Sequence, residues 1–354
     1  MSHPDAVVIG AGIVGAACAW MLSREGLSVT VIDEGVIGGG ATAAGMGHLV
    51  VMDDSEAEFT LTRHSRDLWL ALAPELPEDC EFRQCGTIWV AADEEELAAV
   101  HRKHAWYGER GVRTEMLDAR ALAEAEPHLR PGLAGGLLVP DDAVIYAPCA
   151  ARWLLGRVAF RAGSVSRIGS GLVVLEDGET IDCGAVICAT GCAAIRLFPD
   201  LQLRPRKGHL AITDRYPGFV RHQLVELGYL KSAHGTAAES VAFNAQPRAT
   251  GQVLVGSSRQ FGDDSSEIDW PILRRMLNRA FDFLPALRSM SVIRTWTGFR
   301  AATPDGLPLI GPYGPHENVL LATGHEGLGI TTSLGTAELI AAAVLGKTWL
   351  PASK

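Results

Sequence analysis

Several patterns are missing from this 354-residue chain, and each absence removes a class of function. There is no Lys/Arg-rich run, and 41 acidic residues outweigh 31 basic ones, for a formal net charge of −10. A main nucleic-acid ligand needs a concentrated basic face to neutralise its phosphates, so none is expected. Gly residues interrupt both of the most apolar stretches, Val7–Leu22 and Leu328–Leu345. Neither reaches the roughly 18 to 20 unbroken apolar residues that a bilayer requires, and no transmembrane segment is expected. No positive region precedes the first apolar stretch, so no signal peptide is expected either. The seven Cys lack metal-type spacing, even in the closest group of Cys183, Cys188 and Cys192. That usage suits buried, inert thiols in a reducing cytoplasm, without a metal site.

What remains is ordinary globular composition, 47% apolar and 20% charged. Its length corresponds to roughly two domains or slightly more. Asp5–Ile9 reads as a buried strand, Gly12–Arg24 as a helix and Ser28–Asp33 as a second strand. This βαβ unit implies a parallel sheet covered by helices. Ser55–Leu72 looks helical, whereas Gly86–Ala91 and Gly135–Val139 look like strands. Asp177-Gly178 marks a tight hairpin between Val173 and Ile181. Ala185–Cys188 is a further buried strand. From Gly208 to Gly256 the chain is strand-like, with candidates at His209–Thr213, Ser240–Phe243 and Gln252–Val255. Ile268–Leu284 is an amphipathic helix. The chain closes with strands at Ser291–Phe299 and Val319–Ala322 and a helix at Leu328–Leu345. The expected fold is mixed α/β: a Rossmann-type domain assembled from separated segments, with an inserted antiparallel β-rich domain.

Gly10-Ala11-Gly12-Ile13-Val14-Gly15 lies between the first strand and the first helix. There Gly10 permits the tight turn, Gly12 lets the backbone approach a pyrophosphate, and Gly15 lets helix and strand pack closely. The helix start at Ile13 and Val14 presents N–H groups and a positive dipole end to phosphates. Asp33 closes the second strand, where a carboxylate accepts hydrogen bonds from a ribose, and Glu34 is its rival. This motif by itself does not separate FAD from NAD.

A Gly/Ala loop follows at once, from Gly38-Gly39-Gly40 through Ala41, Thr42, Ala43, Ala44, Gly45, Met46 and Gly47. Here the sequence resembles the flavoenzyme family of D-amino acid oxidase, glycine oxidase and sarcosine oxidase. In that family the loop touches the pyrophosphate and isoalloxazine of FAD. Val186–Gly191, with Ala189, Thr190 and Gly191 at its end, is similar to the family's second FAD-contacting strand. Val165 falls where the family sets a Val backbone against adenine. Trp296-Thr297-Gly298-Phe299-Arg300 and Asp305-Gly306-Leu307-Pro308-Leu309-Ile310-Gly311 resemble its W-x-G-x-R…D-G-x-P-x-I-G signature. The run Gly324, His325, Glu326, Gly327, Leu328, Gly329, Ile330 resembles its C-terminal flavin loop. The resemblance covers essentially the whole chain. It implies an FAD-binding domain at 1–80, 140–203 and 294–354, and a substrate-binding domain at 81–139 and 204–293. No Cys follows Cys192, where relatives with covalent flavin use a late one, so the implied FAD is noncovalent.

The resemblance further implies hydride removal from the carbon beside an amine, leaving an imine. The flavin N5 accepts the hydride, and no protein acid–base pair is required. Arg300 matches the family's substrate Arg, whose planar guanidinium holds a carboxylate bidentately. Glycine oxidase-like members carry a second Arg where this chain has Gly327. Arg259 and Asn244, with the stretch Ala44–Asp54, look most like the bacterial D-hydroxyproline dehydrogenases of the family. His48 and Glu326 are candidate substrate contacts. The expected activity is therefore a dehydrogenase of small amino acids, favouring D-proline or D-hydroxyproline types. The alternatives are a glycine/sarcosine-type oxidase using O2 and a flavin electron-relay subunit without its own substrate site. Expected partners are the amino-acid substrate and an electron-accepting subunit, quinone or dye. Self-association is compatible with the sequence, and so is membrane association through a partner.

Overall fold

The computed structural model describes residues 3–228, 239–314 and 316–349. Part of the strand-like stretch expected over 208–256, at 229–238, lies outside the described residues. The chain divides into two compact units. One comprises Met1–Cys80, Ile145–Pro205 and Phe299–Lys354, and the other Glu81–Val144 and Arg206–Gly298.

In the first unit, Ala6–Ile9 is a wholly buried apolar strand, as expected where helices cover both faces of a parallel sheet. It pairs in parallel with Val29–Asp33 on one side and Ala185–Cys188 on the other. Ala159–Ala162 extends the sheet beyond Val29–Asp33. His316–Thr323 extends it beyond Ala185–Cys188, and Leu309–Tyr313 closes that edge antiparallel. A separate antiparallel sheet contains Val165–Gly169, Leu172–Leu175 and Thr180–Asp182. Its tight turn carries Gly178 at φ 88°, the left-handed conformation that Asp-Gly predicts.

The first helix, Ile13–Arg24, buries a nearly continuous set of small residues, including Ala16, Ala17, Cys18 and Ala19. It packs against the closing helix Gly329–Val344, which is rich in buried Thr, Ser, Gly and Ala. Small side chains let such helices approach closely. On the closing helix's other side, a β-carbon at Gly335 would stand 3.0 Å from Leu61 Cδ1 and 3.2 Å from Ser65 Cβ. Both residues belong to the helix Glu56–Leu72, whose N-cap Ser55 accepts the Glu58 N–H.

The second unit is built on an eight-stranded sheet. Its order is 292–302, 204–215, 252–260, 239–247, 223–226, 87–91, 135–139 and 115–118. The pair 87–91 and 223–226 is parallel, so the sheet is mixed. The helix Trp270–Phe283 lies on one face with Ile272, Leu273, Met276, Ala280 and Phe283 turned inward. Phe283 stacks on Phe243 with ring centroids 4.6 Å apart. The buried Glu226 pairs with Arg279 of this helix and also accepts the Phe243 N–H. A carboxylate so deeply placed requires such partners.

The segment expected as an irregular Gly/Ala loop contains a short helix, Gly40–Ala44. The Ala-Thr-Ala-Ala run has enough helix propensity for one turn, and Gly39 and Gly45 flank it in extended conformation.

Candidate functional site

The first unit gathers its glycine-rich segments around the start of the first helix. Gly10 has φ 105°, and a β-carbon there would lie 2.6 Å from the Ala189 carbonyl oxygen. A β-carbon at Gly15 would lie 1.9 Å from the Gly10 carbonyl oxygen, so only glycine permits this packing. The Ile13 N–H donates to Thr42 Oγ1 at 2.9 Å, which ties the short helix to the first. The first helix has no acidic residue in its first turn and no side-chain cap from Gly12. Its dipole and N–H groups suit an anionic diphosphate.

Asp33 reaches back into this turn. Its Oδ2 accepts the Ala11 N–H at 2.6 Å and its Oδ1 the Gly35 N–H at 2.7 Å. The carboxylate therefore braces the glycine turn, a structural task that its expected ribose contact did not include. Glu34 accepts the Ser164 hydroxyl at 3.0 Å, which sets it beside the strand beginning at Val165. On the neighbouring strand end, Cys188 Sγ and Thr190 Oγ1 lie 3.3 Å apart, and Gly191 accepts a hydrogen bond from Thr323.

The C-terminal loop meets the Gly/Ala segment. A β-carbon at Gly45 would lie 2.9 Å from Ile330 Cδ1. Met46 is buried, and Gly47 at φ 90° leaves no room for a β-carbon beside the Ile145 carbonyl. The His48 carbonyl accepts the Thr331 hydroxyl at 2.9 Å. Trp69, fully buried, donates its indole N–H to the Ile330 carbonyl at 3.2 Å. The closing helix starts at Gly329 behind Leu328 with no acidic residue in its first turn.

Arg300 stands beside this loop. The Glu326 N–H bonds to the Ala301 carbonyl, and a β-carbon at Gly327 would be 3.7 Å from Arg300 Nε. Glu326 itself has φ 46°, and its Oε2 accepts the Gly327 N–H at 2.6 Å. His325 is buried with Nε2 3.0 Å from Thr336 Oγ1, and burial pulls it down to about 4, so it is neutral at pH 7.

Asn244 and Arg259 both belong to the second unit, on adjacent strands, and both are buried. Asn244 opposes Gly256, and Arg259 opposes Ser240. Strand alternation puts Asn244 and Gln246 on the face away from Phe243.

No sequence pattern singles out Glu58. Burial first, then the carboxylates of Asp54, Glu326 and Asp53, push its carboxyl up to about 8. Gln246 is fully buried, and the alternation Phe243-Asn244-Ala245-Gln246 is the signal that marks it. Among the described residues, no cluster of three or more His, Cys, Asp or Glu is placed to hold a metal. No helix among them is long and apolar enough to cross a membrane.

Known proteins are similar to this chain in sequence and fold. The family model described as DAO, FAD dependent oxidoreductase, matches residues 5–343. Glycine oxidase of Bacillus subtilis (strain 168) is 27% identical, over 98% of this chain and 94% of its own. A D-amino acid dehydrogenase of Methylobacterium nodulans is also 27% identical, over 81% of this chain and 70% of its own. The crystal structure of glycine oxidase from Geobacillus kaustophilus superposes with a TM-score of 0.88 at 25% identity, covering 98% of this chain and 96% of that one. FAD fits the residues present. The two helix starts without first-turn acids suit its diphosphate and the negative charge of its reduced ring, and the glycine turn would not accept a side chain.

Proposed function

We propose that this chain, which belongs to the DAO family of FAD-dependent oxidoreductases and acts on amino acids, dehydrogenates a small α-amino acid of the D-proline or D-hydroxyproline type. The observation that carries the reading is Arg300 beside Gly327. A guanidinium sits next to the loop that resembles the family's flavin loop, at a position where no side chain intervenes. Bound FAD supplies the two-electron chemistry that turns a Cα–N bond into an imine.

The protein's part is to position. Arg300 holds the substrate carboxylate through paired N–H donors, fixing the α-carbon. Glu326 offers a carboxylate for a substrate amine or ring hydroxyl. Asn244, Arg259 and His48 are further proposed substrate contacts. Gly10, Gly12, Ile13, Val14 and Gly15 would hold the diphosphate, Glu34 and Val165 the adenosine end, and Ala189–Gly191 the adjoining strand. Thr42–Gly47 and Gly324–Ile330 would border the ring system. The late Cys that would tether a flavin is absent from the sequence, which supports noncovalent binding.

Product analysis tests the reading. Incubation of the FAD-loaded enzyme with D-proline and an electron-accepting dye should yield the cyclic imino acid, lighter than the substrate by two hydrogens. Conversion of glycine or sarcosine alone, with fast uptake of O2, would replace this reading by the oxidase one.

A further inference from the structure

The eight-stranded sheet of the second unit ends on one side with the strand 292–302, and among the described residues no strand follows it. A sheet edge presents a row of backbone N–H and C=O groups that another extended chain can pair with, and soluble proteins usually blunt it. The other edges of the two large sheets are blunted. The strand 115–118 has four residues and carries exposed Glu115 and Asp118 at its ends. The edge strand 309–313 contains Pro312, which has no N–H to offer. The edge strand 159–162 has four residues, and its Arg161 pairs with Asp177 and Glu179.

The first half of 292–302 carries none of these devices. From Ser291 to Thr297 there is no Lys, Pro, Asp or Glu, and Arg294 is the one charged residue. Val292 is 45% exposed and Ile293 55%. Both are apolar and β-branched, and as neighbours on a strand they face opposite sides of the sheet. Such an edge fits an extended chain, whose backbone would satisfy the row of polar groups while its side chains cover both residues.

Symmetry identifies the chain that fits. Two copies of one edge strand pair antiparallel about a two-fold axis that stands perpendicular to the sheet. Each face then continues onto the same face of the second copy, so residues opposite one another are both even-numbered or both odd-numbered. Centring on Arg294 would set like charges opposite each other, which is unfavourable. Centring on Thr295 spans 292–298 and sets Arg294 opposite the partner's Trp296 and Ile293 opposite the partner's Thr297. A guanidinium beside an indole is a contact that Arg294 already makes within the chain, 5.2 Å from the Trp296 ring centroid.

The two ends of the strand are complementary as well. Exposed Arg288 precedes it on the face covered by Trp270–Phe283, since its neighbour Leu287 packs in one core with Phe283. Exposed Asp264 and Glu267 lie in a loop at the far half, where Thr297 Oγ1 donates to the Ser266 carbonyl. Asp214 and Arg215, beside Ser291, offset each other. Antiparallel pairing therefore brings the basic end of each copy to the acidic end of the other.

We infer that 292–298 is a self-association surface, which pairs antiparallel with the same strand of a second copy of this chain about a two-fold axis at Thr295. The eight-stranded sheet then continues across the dimer. The inference stands on this edge and is independent of the substrate reading.

Sedimentation velocity of the FAD-loaded enzyme from about 1 to 100 µM tests it. Edge pairing over so short a stretch predicts a dissociation constant of about 10 µM, with monomer at the low end and twice the chain mass at the high end. Val292→Lys and Ile293→Lys, both at exposed positions, should each weaken the dimer about tenfold with flavin absorbance unchanged. A cross-link reads the register. Directly opposite residues on antiparallel strands have Cα atoms about 4.5–5.5 Å apart, within disulfide reach. Thr295→Cys should therefore give a covalent dimer on copper–phenanthroline oxidation. Thr297→Cys, whose two copies would lie about 14 Å apart along the strands, should match wild type. A chain that stays monomeric at 100 µM overturns the inference and leaves the edge to a strand of a different protein. A dimer unaffected by both lysine variants overturns it as well, and cross-linking through Thr297→Cys in place of Thr295→Cys overturns the register.

Discussion

A β-carbon on Gly327 would stand 3.7 Å from Arg300 Nε, in ordinary van der Waals contact. The absence of a side chain at 327 therefore shapes the space around the guanidinium without being a steric requirement of the fold. Gly327→Ala should fold and hold FAD normally while raising KM several-fold. Arg300→Lys should lower kcat/KM about 100-fold, mainly through KM, because a point ammonium cannot reproduce bidentate carboxylate binding. Steady-state kinetics on both variants, with flavin content measured in parallel, checks this. An electron-relay subunit would lose nothing on either change.

Gly15 is a stricter position. A β-carbon there meets the Gly10 carbonyl at 1.9 Å, a backbone atom that has no rotamer to escape through. Gly15→Ala should purify largely without the yellow cofactor, and its thermal midpoint should no longer rise when FAD is added. A variant with normal flavin absorbance would show that the glycine turn tolerates displacement.

The two buried titrating groups give opposite pH dependences. Glu58 is raised from 4.5 to about 8, so between those values the folded chain keeps a proton that the unfolded chain loses. Its contribution to stability declines as pH rises through that window. Glu58→Gln should therefore be more stable than wild type at pH 9 by about 1–2 kcal/mol, after allowance for solvent access, and the gain should vanish near pH 4.5.

His325 is lowered from 6.5 to about 4 by burial, so below pH 6.5 the unfolded chain takes up a proton that the folded chain refuses. Stability should fall as pH drops from 6.5 towards 4. His325→Asn should flatten that part of the curve. Denaturant midpoints across pH 4 to 9 separate the two residues.

Thiol chemistry should be slow. Burial pushes Cys18 and Cys80 up to about 12 and Cys85 and Cys183 to about 11, leaving little of the reactive thiolate at pH 7.5. Mass spectrometry after brief iodoacetamide treatment should find these four unmodified in the native protein and modified in urea.

Much of the first unit was legible because local rules and the tertiary fold agree there. Ala6–Ile9 is apolar throughout since both its faces are covered, and Gly10, Gly12 and Gly15 carry spacing that only a helix start beside a strand explains. Asp177-Gly178 specifies its own turn. Glu58 was not legible. It is one of several acids along an amphipathic helix, and the fold, by bringing in Glu326 from 268 positions away, changes its charge state. The bracing task of Asp33 was hidden for a related reason, since its partners Ala11 and Gly35 are backbone groups that no side-chain pattern reveals. The helical turn at Gly40–Ala44 was masked by the glycines around it.

The most direct measurement is anaerobic mixing of the oxidised yellow enzyme with D-proline and trans-4-hydroxy-D-proline, beside glycine and sarcosine, with the Arg300→Ala variant alongside. Rapid bleaching of the flavin band by the ring-containing D-amino acids, largely lost in the variant, is the predicted result. No bleaching by either ring compound, or bleaching that is indifferent to Arg300, would contradict it.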